Sequence, residues 1–174
     1  MRALGIDPGL VHLGYGIVDK KGDKLEKVVY GCINQRSGEN IAKRIKKIYD
    51  GIFELVQAYH PDLVAVEQIF LNKNIKSALL LGHARGAAMA AGLNAGGKIL
   101  EYTPLEVKQA LVGYGRAEKH QVNFMVKKLL NLYEPIASED ASDALAVAIC
   151  CLHSQPGMRE GHKSVIPAKP SRLG

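Results

Sequence analysis

Residues 61–67 read Pro61-Asp62-Leu63-Val64-Ala65-Val66-Glu67, and this stretch decides the fold. Four apolar residues in a row, without the alternation of a half-solvated strand, predict a strand buried on both faces, as parallel strands are. The segment before it is the clearest helix in the chain. Ile41, Ile45, Ile48, Ile52, Leu55 and Tyr59 recur at intervals of four and three, with Lys43, Lys46, Lys47, Asp50, Glu54 and Gln57 between them. Asn40 is suited to cap this helix and Pro61 to stop it. Upstream, residues 2–7 (Arg-Ala-Leu-Gly-Ile-Asp) form another short apolar run, broken by Pro8-Gly9. Residues 13–19 and 24–34 read as two strands joined at Lys20-Lys21-Gly22-Asp23, and so short a connection makes them antiparallel neighbours.

Downstream, a polar segment (Asn72-Lys73-Asn74) leads into a helix over 75–93. Its residues are small: Gly82, Ala84, Gly86, Ala87, Ala88, Ala90 and Ala91. That composition suits either tight packing on a sheet or a seam between two subunits. A fifth strand follows at 98–102. Thr103-Pro104 opens a helix over 104–111, with Thr as cap and Pro in the first helical position. Helices are expected over 118–131, with Val122, Met125, Val126, Leu129 and Leu130 inside, and over 139–153, with Ala141, Leu145, Ala148, Ile149 and Leu152 inside. The order β-β-β-α-β-α-β-α-α-α predicts an α/β chain: a five-stranded mixed sheet, its first three strands antiparallel, with helices on both faces.

A length of 174 residues suits one domain, expected over 1–154. Hydrophobic residues at 47% and charged residues at 23% exclude a chain disordered throughout. The net charge of +6 favours polyanions as partners, with nucleic acid ahead of anionic membrane. Residues 155–174 carry Arg159, Lys163, Lys169 and Arg172 against Glu160 alone, and read as a basic tail without periodicity. Cys32, Cys150 and Cys151 are too few and wrongly spaced for a disulfide framework or a zinc site, which fits a reducing cytosol. No stretch reaches membrane-spanning length, and the first residues show no charged-then-apolar leader pattern.

Four carboxylates stand where packing alone does not want them. Asp7 ends the first strand and Glu67 the buried one; parallel neighbours ending together would set these two side by side. A charge beside an apolar core costs several kcal/mol unless it is paired or binds metal. Asp140 and Asp143, three apart at the start of the last helix, share one face and favour the helix dipole. Each has a plainer reading: an Asx turn into Pro8-Gly9 for Asp7, N-terminal capping for the helix pair. Glu67 has no capping duty, and the conjunction of two strand-end acids with an acidic helix face points to hard-cation binding. Oxygen donors of this kind suit Mg²⁺ or Mn²⁺, one or two ions per site, and two such ions can drive phosphodiester hydrolysis.

Gly5-Ile6-Asp7-Pro8-Gly9, Val66-Glu67-Gln68-Ile69-Phe70 and Asp140-Ala141-Ser142-Asp143-Ala144-Leu145-Ala146 resemble the three acidic motifs of the RuvC-type Holliday junction resolvases. Ser77-Ala78-Leu79, Gly82-His83-Ala84-Arg85-Gly86 and Val107-Lys108-Gln109-Ala110 are also similar to that family, and the likeness covers residues 1 to about 155. The resemblance implies a ribonuclease H-like fold and a homodimer that grips a four-way junction and nicks two strands symmetrically. It implies Asp7, Glu67, Asp140 and Asp143 as metal ligands, and Lys108 and Lys119 beside the scissile phosphate. Phe70 would stack on unpaired bases, a contact of roughly 1–3 kcal/mol per base. On their residues alone, Phe70 reads first as a core aromatic and Lys108 and Lys119 as solvated helix lysines. Lys73 and Lys76 are expected phosphate contacts, and Arg85 reads either as a phosphate clamp or as a cap of the small-residue helix. A branch-migration complex of a junction-binding protein and a hexameric helicase is the implied partner, and bacterial cytoplasm the implied setting. A kinase-like ATPase, which shares an acidic first strand and glycine turn, would need a second phosphate loop and usually twice this length.

Overall fold

One sheet organises the computed structural model, which describes residues 1–36, 38–69 and 75–155. Its strands are β1 (Arg2–Asp7), β2 (His12–Lys21), β3 (Lys24–Asn34), β4 (Leu63–Glu67) and β5 (Lys98–Tyr102), in the spatial order β3-β2-β1-β4-β5. The first three pair antiparallel, and β4 and β5 join parallel to β1. Between and after them run α1 (Ile41–Tyr59), α2 (Ile75–Asn94), α3 (Pro104–Val112), α4 (Lys119–Leu129) and α5 (Glu139–Ser154). The mixed sheet and the element order match the sequence reading. The expected tail from residue 156 onward, together with Phe70 and Lys73, lies outside the described residues.

Each face of the sheet has its own apolar layer. Leu4, Ile6, Ile17, Val64 and Val66 pack with α1 and α2; Ala3, Val18, Leu63, Ala65, Leu100 and Tyr102 pack with α3, α4 and α5. Alternation along a strand therefore assigns Asp7, two residues past Gly5, and Glu67, two past Ala65, to the face that α5 covers. Helix α5 is apolar nearly all round, with every residue from Ala144 to Leu152 buried, so it is a core element rather than a surface one.

That helix sits unusually close to β1 and β2, because glycine lines its seat. A methyl group at Gly5 would run into the Ala144 carbonyl, one at Gly14 into the Asp140 carbonyl, and one at Gly16 into Leu145. Gly5 pairs with Gly16, and Gly14 pairs with Asp7 across the β1–β2 ladder. The absence of side chains on these strands is what lets α5 deliver its first turns to the end of β1.

Element ends shift by a residue or two from expectation, and one helix end and one helix face depart furthest. Helix α4 stops at Leu129 instead of running to 131; Leu130 caps it, and Asn131 takes a left-handed conformation (φ 51°) that ends the helix despite the apolar Leu129-Leu130 pair. In α1 the buried line is Arg44, Ile48, Ile52 and Val56, so Ile41 is left exposed and a guanidinium occupies a core position.

Candidate active site

Register brings the first two acids together. Ile6 lies beside Val66 across the parallel β1–β4 pair, and Asp7 and Glu67 are the next residues of those strands. Their side chains share a hydrogen bond, with the Asp7 carboxyl donating to Glu67. Asp140 and Asp143 arrive on α5, which packs over this same face of the sheet. All four interact electrostatically: burial, and then Glu67, Asp143 and Asp140, push the Asp7 carboxyl up to about 8. Burial first and Asp143 second also raise Glu67, against the opposing pull of Asp7, Lys119 and Lys108. Asp143 is raised chiefly by burial, in spite of its contact with Lys119. Lys119 and Lys108 offset only part of this mutual repulsion, and a divalent cation is the kind of charge that would relieve the rest.

Capping does not account for the helix pair. Ser138 is the N-cap of α5, its hydroxyl accepting from the Ala141 N–H, and Asp143 lies beyond the first turn, where the sequence reading had put it with Asp140. The same Ser138 hydroxyl approaches Asp140 Oδ2 at 3.5 Å and Cys32 Sγ on β3 at 3.0 Å. Asp140 is thereby tied to both its own helix and the far strand of the sheet.

A pocket opens between the end of β4 and helices α3, α4 and α5. Glu67, Asp143, Lys108 and Lys119 supply its polar lining, and Pro104, Val107, Val122 and Ala146 its apolar floor. Helix α3 carries Lys108 and starts in a full capping box: Glu106 N–H donates to Thr103 Oγ1 at 3.1 Å, and the Thr103 N–H donates back to Glu106 Oε2 at 2.8 Å. Lys119, the first residue of α4, pairs with Asp143 at 3.0 Å and Glu139 at 2.9 Å. Among the described residues no three acids close on one point as their side chains stand, Asp143 being turned to Lys119. The donor set itself fits a hard divalent cation: four carboxylates at one end of the sheet and no soft ligand among them.

The remaining expected contacts are spread more widely. Lys76 stands exposed in the first turn of α2. Arg85, half-way along α2, pairs with Glu101 of β5, its Nε buried without an acceptor, so it does not join the four acids. His120, next to Lys119, lies 3.2 Å from Glu118 and is largely exposed.

Three contributors escaped the sequence reading. Arg44, only 8% exposed, donates twice to the Leu10 carbonyl, at 2.8 and 3.2 Å, and so braces the turn that follows Asp7. Its signal was present: Arg44 stands four residues before Ile48, in line with the apolar stripe. Ser138 carried the ordinary signal of a cap residue three positions ahead of an apolar run. Gly5, Gly14 and Gly16 alternate on two paired strands, a pattern that marks close approach of another backbone.

A family model for crossover junction endodeoxyribonuclease RuvC matches residues 3–151. The crossover junction endodeoxyribonuclease RuvC of Caldanaerobacter subterraneus subsp. tengcongensis is 51% identical over 154 residues, spanning 88% of this chain and 93% of that protein. Its counterpart from Syntrophotalea carbinolica is 58% identical over 153 residues, 88% of this chain and 94% of that one. Among solved structures, T. thermophilus RuvC in complex with Holliday junction substrate superposes with a TM-score of 0.82 at 35% identity, over 86% of this chain and 92% of the other. The sheet order and helix placement are those of the ribonuclease H-like fold. With its three acidic motifs in order and relatives more than half identical over most of its length, this chain belongs to the RuvC family of crossover junction endodeoxyribonucleases.

Proposed function

We propose that the protein is a divalent-metal-dependent endodeoxyribonuclease that resolves four-way DNA junctions by paired, symmetric nicks during recombination and repair. The observation that carries this reading is the convergence of Asp7, Glu67, Asp140 and Asp143, from three distant segments, at one end of the sheet, with Lys108 and Lys119 on the wall of the adjoining pocket.

The four acids would hold Mg²⁺, with Mn²⁺ able to substitute, as one or two ions per site. Bound there, the metal supplies Lewis acidity that activates a water and stabilises the leaving oxygen of a phosphodiester. The protein's own groups do the rest. Lys108 and Lys119 set positive charge beside the scissile phosphate. Pro104, Val107, Val122 and Ala146 give the pocket an apolar floor beneath these charges. Arg44 and the glycine seat under α5 hold the acids in register. Phe70, three residues past Glu67, would stack on bases at the junction centre, while Lys73, Lys76 and Arg85 meet phosphates; Arg85 would first have to leave Glu101.

One set of four acids per chain and two like-polarity cuts require a homodimer. The outer face of α2, where Leu79, Gly82, His83, Gly86, Ala90 and Leu93 are exposed, suits a seam between copies. Residues 1–154 form the nuclease domain in this reading and 155–174 a basic extension outside it. Among the described residues no helix is long and apolar enough to cross a membrane. A branch-migration complex as partner and the bacterial cytoplasm as location complete the proposal.

The test is incubation with a synthetic four-way junction, in Mg²⁺ and in EDTA. Paired nicks on opposing strands with metal only, and none from Asp7→Asn although it still binds the junction, are expected. Intact junctions in Mg²⁺ from folded, dimeric protein would overturn the reading.

A further inference from the structure

The Lys119 ammonium stands between two carboxylates of α5, 2.9 Å from Glu139 Oε2 and 3.0 Å from Asp143 Oδ2. Glu139 and Asp143 are four residues apart, so they lie one above the other on the same helix face. They are not equivalent. Asp143 lines the acidic pocket, whereas Glu139 lies outside the pocket lining with its side chain 78% exposed. One lysine thus bridges the pocket and the solvent, and neither arm of the bridge is the shorter by more than a tenth of an ångström.

We propose that Glu139 is a positioning residue that takes over the Lys119 ammonium when Asp143 turns to a divalent cation. The inference rests on the reading of the four acids as a metal site. The Asp143 oxygen that meets Lys119 is Oδ2, and a divalent cation taken up by the same carboxylate repels the ammonium a few ångströms away. Ion loading therefore weakens the hold of Asp143 on Lys119. A lysine with no second partner would be driven into water, away from the pocket. Glu139, one helical turn ahead, is already in contact, so the ammonium needs only to shorten one bond and lengthen the other. Its flexible four-carbon stem permits that without any movement of the α4 backbone. Among the described residues, the carboxylates within ion-pair distance of Lys119 are these two. The result is an ammonium retained at the mouth of the pocket, where an incoming phosphate needs a counter-charge.

The experiment is calorimetric titration of the full chain with Mn²⁺, without DNA, for the wild type, Glu139→Gln, Lys119→Met and the double variant. Glu139→Gln should weaken Mn²⁺ binding about two- to fivefold, the scale of an exposed ion pair. Lys119→Met should tighten it, since Asp143 is released. In the Lys119→Met background, Glu139→Gln should change nothing; such a cycle isolates action through Lys119. Unaltered binding in Glu139→Gln alone, or an equal loss in both backgrounds, overturns the proposal, the second outcome showing that Glu139 acts on the ion through its own charge. Wild-type protein that takes up no Mn²⁺, or takes it up as well after Asp7→Asn, would instead count against the four-acid site itself. Glu139 is exposed in the first turn of α5, so the variant folds, and its melting temperature checks this.

Discussion

At Asp7 the chain holds a carboxyl against its own chemistry. Half-buried, and facing Glu67, Asp143 and Asp140, it titrates near 8 rather than at its ordinary 3.8. An acid raised in the folded state costs stability as pH climbs: the unfolded chain releases its proton near 3.8, the folded chain keeps it until about 8, and the native state is penalised progressively across that window. Glu67 and Asp143, also raised, act with the same sign. Metal-free protein should therefore lose stability from pH 4 to pH 8, and Asp7→Asn should recover on the order of 1–3 kcal/mol at pH 8 and nothing at pH 4. Urea midpoints at the two pH values measure this, and saturating Mg²⁺ should close the gap. Equal midpoints for the two proteins at pH 8 would mean that Asp7 is not held against its charge.

Helix α5 is the element on which the site turns. It is buried like a core helix, yet its first two turns carry Asp140 and Asp143. What reconciles the two is the bare glycine surface of β1 and β2 beneath it. Gly14→Ala would place a methyl group where the Asp140 carbonyl now sits. The helix end must lift, at a cost of about 1–3 kcal/mol. Cleavage should fall far more than junction binding, because the lysines on α3 and α4 stay in place. Gly38→Ala, at a position with open space around it, is the matched control and should alter neither. If Gly14→Ala cuts junctions at the wild-type rate, close approach of α5 does not position the acids.

Over the whole molecule, α2 turns a small-residue face outward and carries an Arg85–Glu101 pair on its inner side. A Cβ at Gly82 or Gly86 meets nothing in this chain. In an isolated subunit Gly82→Leu should thus be neutral or stabilising by up to about 1 kcal/mol, since glycine weakens a helix interior. Across a two-fold seam the same side chain would collide with its copy. Sedimentation should show Gly82→Leu shifted from dimer to monomer with its melting temperature not lowered by unfolding of the subunit. A dimer that survives intact moves the seam elsewhere. The net charge of +6 adds that junction binding should weaken steeply with salt for both oligomeric states.

The order of strands and helices, the buried parallel strand at 63–67 and the acids that end β1 and β4 were all legible in the residues alone, because hydrophobic periodicity and turn chemistry are local properties. Glu67 stood out for the same reason: it interrupts an apolar run. What the chain could not announce is which distant groups share a space. Spacing can set Arg44 on the apolar stripe but not against the Leu10 carbonyl, and Glu139 looks like any solvated acid until Lys119 arrives from another helix. Whether Asp140 and Asp143 cap their helix or face Asp7 and Glu67 was likewise undecidable from spacing. The tertiary structure decides it through close packing on glycine, a contact between backbones some 130 residues apart in sequence, which no local pattern encodes.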